Sequence, residues 1–467
     1  MLPNNAGFDK SDLLTLFSND SFINFSENFN CSGISTDTRT IKPGEVFIAL
    51  LGETSDGHTR IGGAFNKGAY AAIVNEDWYK QNNANSTFPF IVVRNTLSAF
   101  GRLANYHRKR FNIPVIAIGG SNGKTTTKNM TAHLLSQKYR LLKTHENFNN
   151  QIGVPLMLLQ MTNWHEVALL EMGTNEPGEI SILSSIMEPT HGLITNIGSE
   201  HLEKLIDLDG AEQEETTLFG FLAKRNSTAL INFDDQRLKK YYRLFENVIS
   251  FGTDDEADVR AKIELDSDLH PNIEFSIGER KFKVILQTIA YTTGLNALAA
   301  TSVAVAFGLS DDEIVNGLVS YIQPSGHGYG RMVLEDIGNI RIINDCYNAN
   351  PDSMAAALQT LDKFQAKGKK YAILGDMLEL GDASFEEHCK LLDVVSDISD
   401  AIMVTGDEMK KAVDACSGKG IEYFSSKEEL ISELKNQIKE GDVLLIKGSR
   451  GMAMEKIIED LKFSLSS

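Results

Sequence analysis

The chain has 467 residues, and at roughly 150 residues per domain that length suggests about three domains. Its 63 acidic against 45 basic residues give a formal net charge of −18, which argues against a general nucleic-acid binder but leaves room for a local basic pocket that takes a small anion. The four cysteines, Cys31, Cys346, Cys389 and Cys416, lack C-x-x-C spacing, so neither a zinc site nor a disulfide framework is expected, and a reduced compartment is the simple reading.

The opening stretch MLPNNAGFDKSD has no basic region followed by an apolar core, so it does not read as a signal peptide. The first block runs to about residue 112. Its short strand-like runs EVFIALLG, AYAAIV and FPFIVVR are separated by glycine turns, and it closes with an expected helix over 97–110 whose basic end HRKR suits a helix C-terminus. In the second block, 113–325, the apolar runs VIAIGG, EVALLEMG, HGLITNIG and TALINFDD alternate with helical sequence, which predicts a parallel sheet with crossover helices. Between 248 and 289 the pattern turns to short alternating strands, expected as a small β flap. The run 295–309 includes Asn, Thr, Ser and Gly, is too short to span a bilayer and reads as a buried helix. The third block, 326–467, follows the glycine-rich joint PSGHGYGR, and its strands IRIIND, YAILGDM, AIMVTG and VLLIKGS again alternate with helices. A cytoplasmic protein without membrane insertion is expected, and an α/β fold throughout.

The stretch VIAIGGSNGKTTTKNM, 115–130, carries the first chemistry. Strand, glycine turn, lysine, hydroxyl and helix come in the order that aims backbone N–H groups and a helix N-terminus at phosphate. Lys124 would reach the β/γ-phosphates and Thr125 would offer its hydroxyl to Mg²⁺. The loop reads G-x-x-G-K-T-T, a shorter variant of the usual phosphate-loop pattern; the bland alternative is a glycine turn with a surface lysine. Glu171 ends the apolar strand VALLE, where ligands of parallel sheets gather, and a carboxylate there suits Mg²⁺. A solvated strand-end glutamate is the alternative. ITNIGSEHLE brings Glu200 and His201 to another strand end. Two clusters, NFNNQIGVP with Asn147, Asn149 and Asn150, and NDCYNANPDSM with Asp345, Tyr347, Asn348 and Asn350, suit a substrate rich in amides or sugar hydroxyls, although either alone reads equally as a loop.

These motifs together resemble the Mur ligases, ATP-dependent amide-bond ligases of peptidoglycan precursor synthesis. The resemblance covers nearly the whole chain, through STDTRTIKPGEVFIALLGETSDGH, GSNGKTTTK, NFNNQIGVPL, EMGTNEPGEI, YNANPDSM, LGDMLELG and KGSRGMAMEKI. It is most similar to the branch that adds D-alanyl-D-alanine. The resemblance implies three domains: a uridine-binding α/β domain at 1–112, a central P-loop ATPase domain with a parallel sheet at 113–325, and a Rossmann-like domain at 326–467. By the same resemblance Thr38 and Arg39, with Asp56, Gly57 and His58 nearby, would hold the UDP end of UDP-MurNAc-tripeptide. Gly120, Ser121, Asn122, Gly123, Lys124, Thr125 and Thr126 would hold ATP phosphates, with Arg331 and Asp345 closing onto the nucleotide. Asn147, Asn149 and Asn150 would face the substrate, and Tyr347, Asn348 and Asn350 would lie where D-Ala-D-Ala arrives. Thr125, Glu171 and His201 would serve Mg²⁺. Most members carry a lysine fourteen residues after the HL histidine, carbamylated to place a second Mg²⁺; here Glu215 stands there, in the run EQEE, which otherwise reads as a solvated helix face, and Glu212 or Glu214 could take the part if the register slips. Thr293 stands where the family carries an adenine-facing asparagine. A monomer is expected. The rival readings are a ligase of this type adding another amino acid, a folate-extending ligase, which would lack the 35–58 block, and a nucleotide-binding homologue that has lost ligation.

Overall fold

The computed structural model describes residues 6–26, 29–52, 55–82, 86–200, 202–324, 330–416 and 420–465. Packing divides the chain into two compact units: Met1–Ala117 with Tyr139–Gly173 and Glu179–His191, and Ile118–Lys138 with Thr174–Gly178 and Gly192–Ser467.

In the first unit a five-stranded sheet runs in the order Phe22–Ile23, Phe90–Val93, Ala71–Asn75, Val46–Ile48, Ile34–Ser35. All its pairs are parallel except the first. The expected helix over 97–110 forms as Thr96–Lys109. Asn95 starts it, its side chain accepting from the Ser98 N–H at 2.8 Å. Buried Ala99, Phe100, Leu103, Ala104 and His107 recur at helical spacing and make one apolar face. Its last two turns are locked onto later chain. Arg108 Nε donates to Met187 O at 2.9 Å, His107 Nε2 to Met161 O at 2.9 Å, and Asn105 Nδ2 to Ile186 O at 3.0 Å. At Gly101 a Cβ would stand 2.7 Å from Ile186 Cδ1, so glycine lets the segments meet. This is why 139–173 and 179–191 belong with the first block. In the same unit the strand Val167–Glu171, buried at all five positions, pairs in parallel with Leu141–Lys143.

In the second unit, strands follow the order Arg280–Ile285, Pro271–Ile277, Val259–Leu265, Val248–Gly252, Thr228–Asn232, His191–Ile194. Neighbours among the first three are antiparallel, and Val259–Leu265, Val248–Gly252 and Thr228–Asn232 are parallel. The segment expected as a small β flap of short alternating strands continues the sheet from the parallel strands. Its alternating burial, seen in Val259–Leu265 and Pro271–Ile277, is the period-two signature of one covered face. Helix Tyr291–Ala306 carries no charge and is buried over most of its length, packed on helix Lys124–Leu135.

A six-stranded sheet completes this unit: Val333–Ile337, Ile340–Asp345, Val443–Lys447, Lys370–Gly375, Ala401–Thr405, Ile421–Phe424. Its first pair is antiparallel and the rest parallel. Successive side chains point to opposite faces. Ile342, Leu444, Ile373 and Met403 enter one core, while Ile343, Leu445, Leu374 and Val404 enter another. A sheet buried on both faces needs continuous apolar strands, as these are. Each such side chain contributes roughly 1.5–3 kcal/mol by leaving water.

The cysteine expectation does not hold. Cys389 and Cys416 form a disulfide with Cα atoms 5.7 Å apart. It joins helix Ser384–Ile398 to the end of helix Asp407–Cys416. Helix packing sets this pairing, and linear spacing carries no trace of it. Cys31 and Cys346 are free and buried.

Candidate active site

The strand Val115–Gly119 runs into Gly120 and Gly123 of the second unit, with φ of 107° and 83°. A Cβ on Gly120 would lie 2.3 Å from Thr195 Oγ1, and one on Gly123 2.3 Å from Asn296 Oδ1, so only glycine fits either place. Helix Lys124–Leu135 starts directly after, with no side chain capping its first turn. First-turn N–H groups without helical partners, aided by the helix dipole, make an anion cradle. A neighbouring loop braces it. Ser121 N–H donates to Asn196 O at 2.9 Å, Asn122 N–H to Asn196 Oδ1 at 3.1 Å, and Gly198 N–H to Ser121 Oγ at 2.8 Å. Lys124 lies within the cradle, its Nζ donating to the Gly120 carbonyl, to Ser121 O at 3.1 Å and to the Glu200 carboxylate. Thr125 is half-buried on the first helical turn and Thr126 is buried.

The run EQEE is not a solvated face. Glu212, Glu214 and Glu215 are 8, 6 and 1% exposed. Glu212 pairs with Arg237 and Lys240, and Glu214 accepts from the Gly178 N–H at 2.7 Å. Glu215 meets the phosphate loop: its Oε2 accepts from the Gly120 N–H at 2.8 Å. Its Oε1 is buried and has no hydrogen-bond partner among the described residues. Burial pushes the Glu215 carboxyl up to about 7, against the pull of Lys124 and with added repulsion from Glu200 and Glu214. A buried, unpartnered carboxylate oxygen beside a phosphate cradle fits a hard divalent cation such as Mg²⁺. Among the described residues no three His, Cys, Asp or Glu gather as a cage. Mg²⁺ in nucleotide sites usually needs only one or two carboxylates besides phosphate.

Beside the loop lies a cavity of about 510 Å³, lined by Asn196, Asn232, Asp235, Phe251, Leu295 and Asn296 among others. That volume is ordinary for a small-ligand pocket. Thr293 is not among the lining residues: it is buried, with its hydroxyl 2.7 and 2.8 Å from the carbonyls of Ile289 and Ala290. Asn296, one helical turn on, faces the cavity and reaches Thr127 Oγ1 at 3.2 Å. Asn196 and Asn296 escape sequence reading because isolated asparagines carry no pattern.

The third-block residues also lie in the second unit. Asp345 pairs with Lys447 at 2.5 Å and accepts from the Met332 N–H at 3.1 Å. Lys447 is 1% exposed and also donates to Asn348 O at 2.9 Å. Nothing in the linear pattern singles it out beyond its place in KGSRGM. The Arg331 guanidinium lies 3.6 Å from the ring centre of Tyr347, a cation–π stack. Asn348 Oδ1 accepts from the Arg450 N–H at 3.3 Å. Asn350 caps helix Pro351–Lys363 in a reciprocal box with Ser353, and its Nδ2 donates to Asn122 Oδ1 at 2.9 Å. Asp352 Oδ2 accepts from the Ser199 N–H at 2.7 Å. Asn350 and Asp352 thus tie the start of this helix to the phosphate loop and its brace.

The first unit holds the remaining expected residues. Glu171 is 2% exposed; its Oε1 accepts from Asn149 Nδ2 at 3.0 Å, and its N–H donates to Thr144 Oγ1 at 2.9 Å. Asn150 Oδ1 accepts from Ile152 and Gly153 N–H at 3.1 and 2.8 Å, tying off the start of helix Gly153–Leu158. Asn147 is exposed. The asparagines expected to face the substrate therefore divide: Asn149 orients a carboxylate and Asn150 a helix start. Arg39 is exposed and its Nε lies 3.0 Å from both Asp37 oxygens, with Thr38 half-buried beside them. His58 differs from its expected part. It is 5% exposed, its Nδ1 lies 2.6 Å from Asp56 Oδ1, and its Nε2 accepts from the Asn75 N–H at 3.0 Å. With both ring nitrogens taken and its ring packed on Trp78, His58 holds the 56–58 turn and has no nitrogen left for a ligand. His201 lies outside the described residues.

Residues 30–116, 118–304 and 330–450 match, in turn, the Mur ligase family catalytic domain, the Mur ligase middle domain and the Mur ligase glutamate ligase domain. The UDP-N-acetylmuramoyl-tripeptide--D-alanyl-D-alanine ligase of Bacillus subtilis is 33% identical over 435 residues, 92% of this chain and 93% of that protein. The chain belongs to the Mur ligase family. The Escherichia coli ligase of the same name is 32% identical over 445 residues, 92% of this chain and 93% of its own. Among solved Mur ligase structures, MurF from Acinetobacter baumannii superimposes with a TM-score of 0.88 at 29% identity, covering 99% of this chain and 100% of its own. MurF ligase from Thermotoga maritima in complex with ADP gives 0.83 at 28%, covering 93% and 97%. The three-domain α/β architecture and the ATP-dependent amide-ligase class follow from membership.

Proposed function

We propose that this chain joins D-Ala-D-Ala to UDP-MurNAc-tripeptide at the cost of ATP, giving the UDP-MurNAc-pentapeptide used in peptidoglycan synthesis. One observation carries this reading: about 33% identity to ligases of that name extends over 92% of the chain, through all three blocks. The Gly120–Thr126 loop, with a helix N-terminus and Lys124 inside it, supplies the matching chemistry.

A carboxylate is a poor acyl donor because its leaving group would be oxide. Transfer of the ATP γ-phosphoryl group to the tripeptide carboxylate gives an acyl phosphate and ADP. The D-Ala-D-Ala amine then attacks the acyl carbon, and the tetrahedral intermediate expels phosphate as the amine loses its proton. Two anions must meet in the first step. Lys124 and Arg331 would offset that repulsion and stabilise the moving phosphoryl group. Asp345, held by Lys447, would orient the nucleotide from the third block, and Asn296 would meet the base in the cavity. Thr125, Glu171, His201 and Glu215 are the proposed metal ligands; Mg²⁺, when bound, would add positive charge between the anions. Thr38, Arg39 and Asp56 would receive the UDP end, with His58 holding their turn. Tyr347 and Asn348 would receive the dipeptide, and Asn147 the growing peptide. We divide these tasks at 1–112, 113–325 and 326–467, in a monomer acting in the cytoplasm, where ATP is available. Among the described residues no helix is long and apolar enough to cross a membrane.

The test is phosphate release with UDP-MurNAc-tripeptide, with and without D-Ala-D-Ala, followed by product mass. Release that depends on the dipeptide and a product heavier by one D-Ala-D-Ala residue are expected. Phosphate release with no such product would favour a homologue that has lost ligation.

A further inference from the structure

The ammonium of Lys124 is already occupied by an anion. Its Nζ lies 3.2 and 3.1 Å from the two oxygens of Glu200, and their side chains are 14 and 10% exposed. A phosphate-loop lysine meets nucleotide phosphate oxygens, and a carboxylate offers the same geometry of paired, charged acceptors.

Glu200 is held in that place. Its backbone N–H donates to Gly198 O at 2.9 Å. Gly198 is bonded in turn to Ser121 Oγ, and Ser199 N–H donates to Asp352 Oδ2. The loop carrying the carboxylate is thereby braced by the phosphate loop on one side and the helix after Asn350 on the other. Glu215 is buried beside the same lysine, its Oε2 accepting from the Gly120 N–H at 2.8 Å.

We propose that Glu200 is an internal stand-in for phosphate: it holds Lys124 in the nucleotide-free protein and must release the ammonium before ATP or ADP phosphates engage it. Glu200 thereby lowers nucleotide affinity and orients Lys124 ready for transfer. This rests on the reading of the phosphate loop as the nucleotide site.

The experiment is calorimetric titration of the full-length protein with ADP, in EDTA and again in Mg²⁺. Glu200→Gln keeps the size and one acceptor but removes the charge. Its ADP dissociation constant should fall about tenfold in EDTA, as expected for losing one charged competitor for the same ammonium. Glu200→Asp, whose carboxylate is one methylene shorter, should fall in the same direction by less, and serves if the glutamine variant folds poorly. A carboxylate that merely braced the fold would not tighten binding on removal. Unchanged or weaker ADP binding in both variants overturns the proposal. Wild-type protein that binds no ADP in either buffer overturns the nucleotide-site reading, and this inference with it. ADP binding that is lost in Lys124→Ala but unaltered in the Glu200 variants removes the inference alone.

Discussion

The loops around Asn147–Asn150 and Asn344–Asn350 look equivalent in the sequence, each a dense run of amides after a strand. In the structure they do different work. In the first, Asn149 donates to the Glu171 carboxylate and Asn150 ties off the helix that follows, so both amides serve their own neighbourhood. In the second, Asn350 also starts a helix, but its free amide reaches Asn122 in the phosphate loop, more than 200 residues away in sequence. Amide density marks the neighbourhood of a site without saying which amides meet a ligand. A polar atom that the fold already uses must give up its partner before it can meet a ligand.

Lys124→Ala should lower ligation by roughly 10³-fold or more, since it removes the positive charge that stabilises the transferring phosphoryl group. Its thermal midpoint should change little. Near-normal turnover of the folded variant would break the assignment of the phosphate loop. Next in size is Glu215→Ala, which should lose roughly 10²- to 10³-fold, with no rescue by bicarbonate. Wild-type ligation should not depend on bicarbonate, because the Glu215 carboxyl, which needs no CO₂ to form, already sits on the Gly120 N–H. A strong bicarbonate requirement in the wild type, or full activity in the variant, would show that this carboxylate does not stand in for a carbamate.

Much of this was legible before the structure. The alternating strands, the phosphate loop and helix Thr96–Lys109 follow from period and cap signals that are local in the chain. Counting fourteen residues on from His201 reaches Glu215, which in the structure accepts from the Gly120 N–H, whereas Glu212 pairs with Arg237 and Lys240 and Glu214 accepts from the Gly178 N–H. What stayed hidden depends on contacts far apart in sequence. Lys447 meets Asp345 across neighbouring strands, and Asn296 meets the loop through helix packing. Cys389 and Cys416 meet because two helices lie side by side. His58 and Asn150 show the same limit: a polar residue in a motif is equally able to hold a turn, and its hydrogen-bond partners cannot be read from the linear sequence. The end of the first block was placed at 112, but helix Thr96–Lys109 depends on carbonyls of Met161, Ile186 and Met187. A fragment ending at 112 would leave those partners behind, so it is a poor vehicle for testing UDP binding.

Two matched substitutions separate the asparagine loops. Asn350→Ala should lose about 1 kcal/mol of stability from the missing cap and, in addition, roughly 10- to 100-fold in kcat/KM, because the phosphate loop loses its tie to the helix. If only stability fell, the Asn122 contact would have no part in positioning the loop.

Asn150→Ala is the counterpart with the smallest kinetic effect. Its side chain accepts two backbone N–H groups at the start of helix Gly153–Leu158. Removing it leaves those donors to water, at a cost of about 1 kcal/mol in denaturant unfolding. Its Oδ1 is already engaged twice, so no substrate contact of comparable strength is lost. Ligation per folded molecule should therefore stay within about twofold of wild type, with KM for UDP-MurNAc-tripeptide unchanged. A rise of tenfold or more in that KM, at full folding, would return Asn150 to the substrate and erase the contrast between the loops. The free Nδ2 of the side chain is the group that would have to account for it.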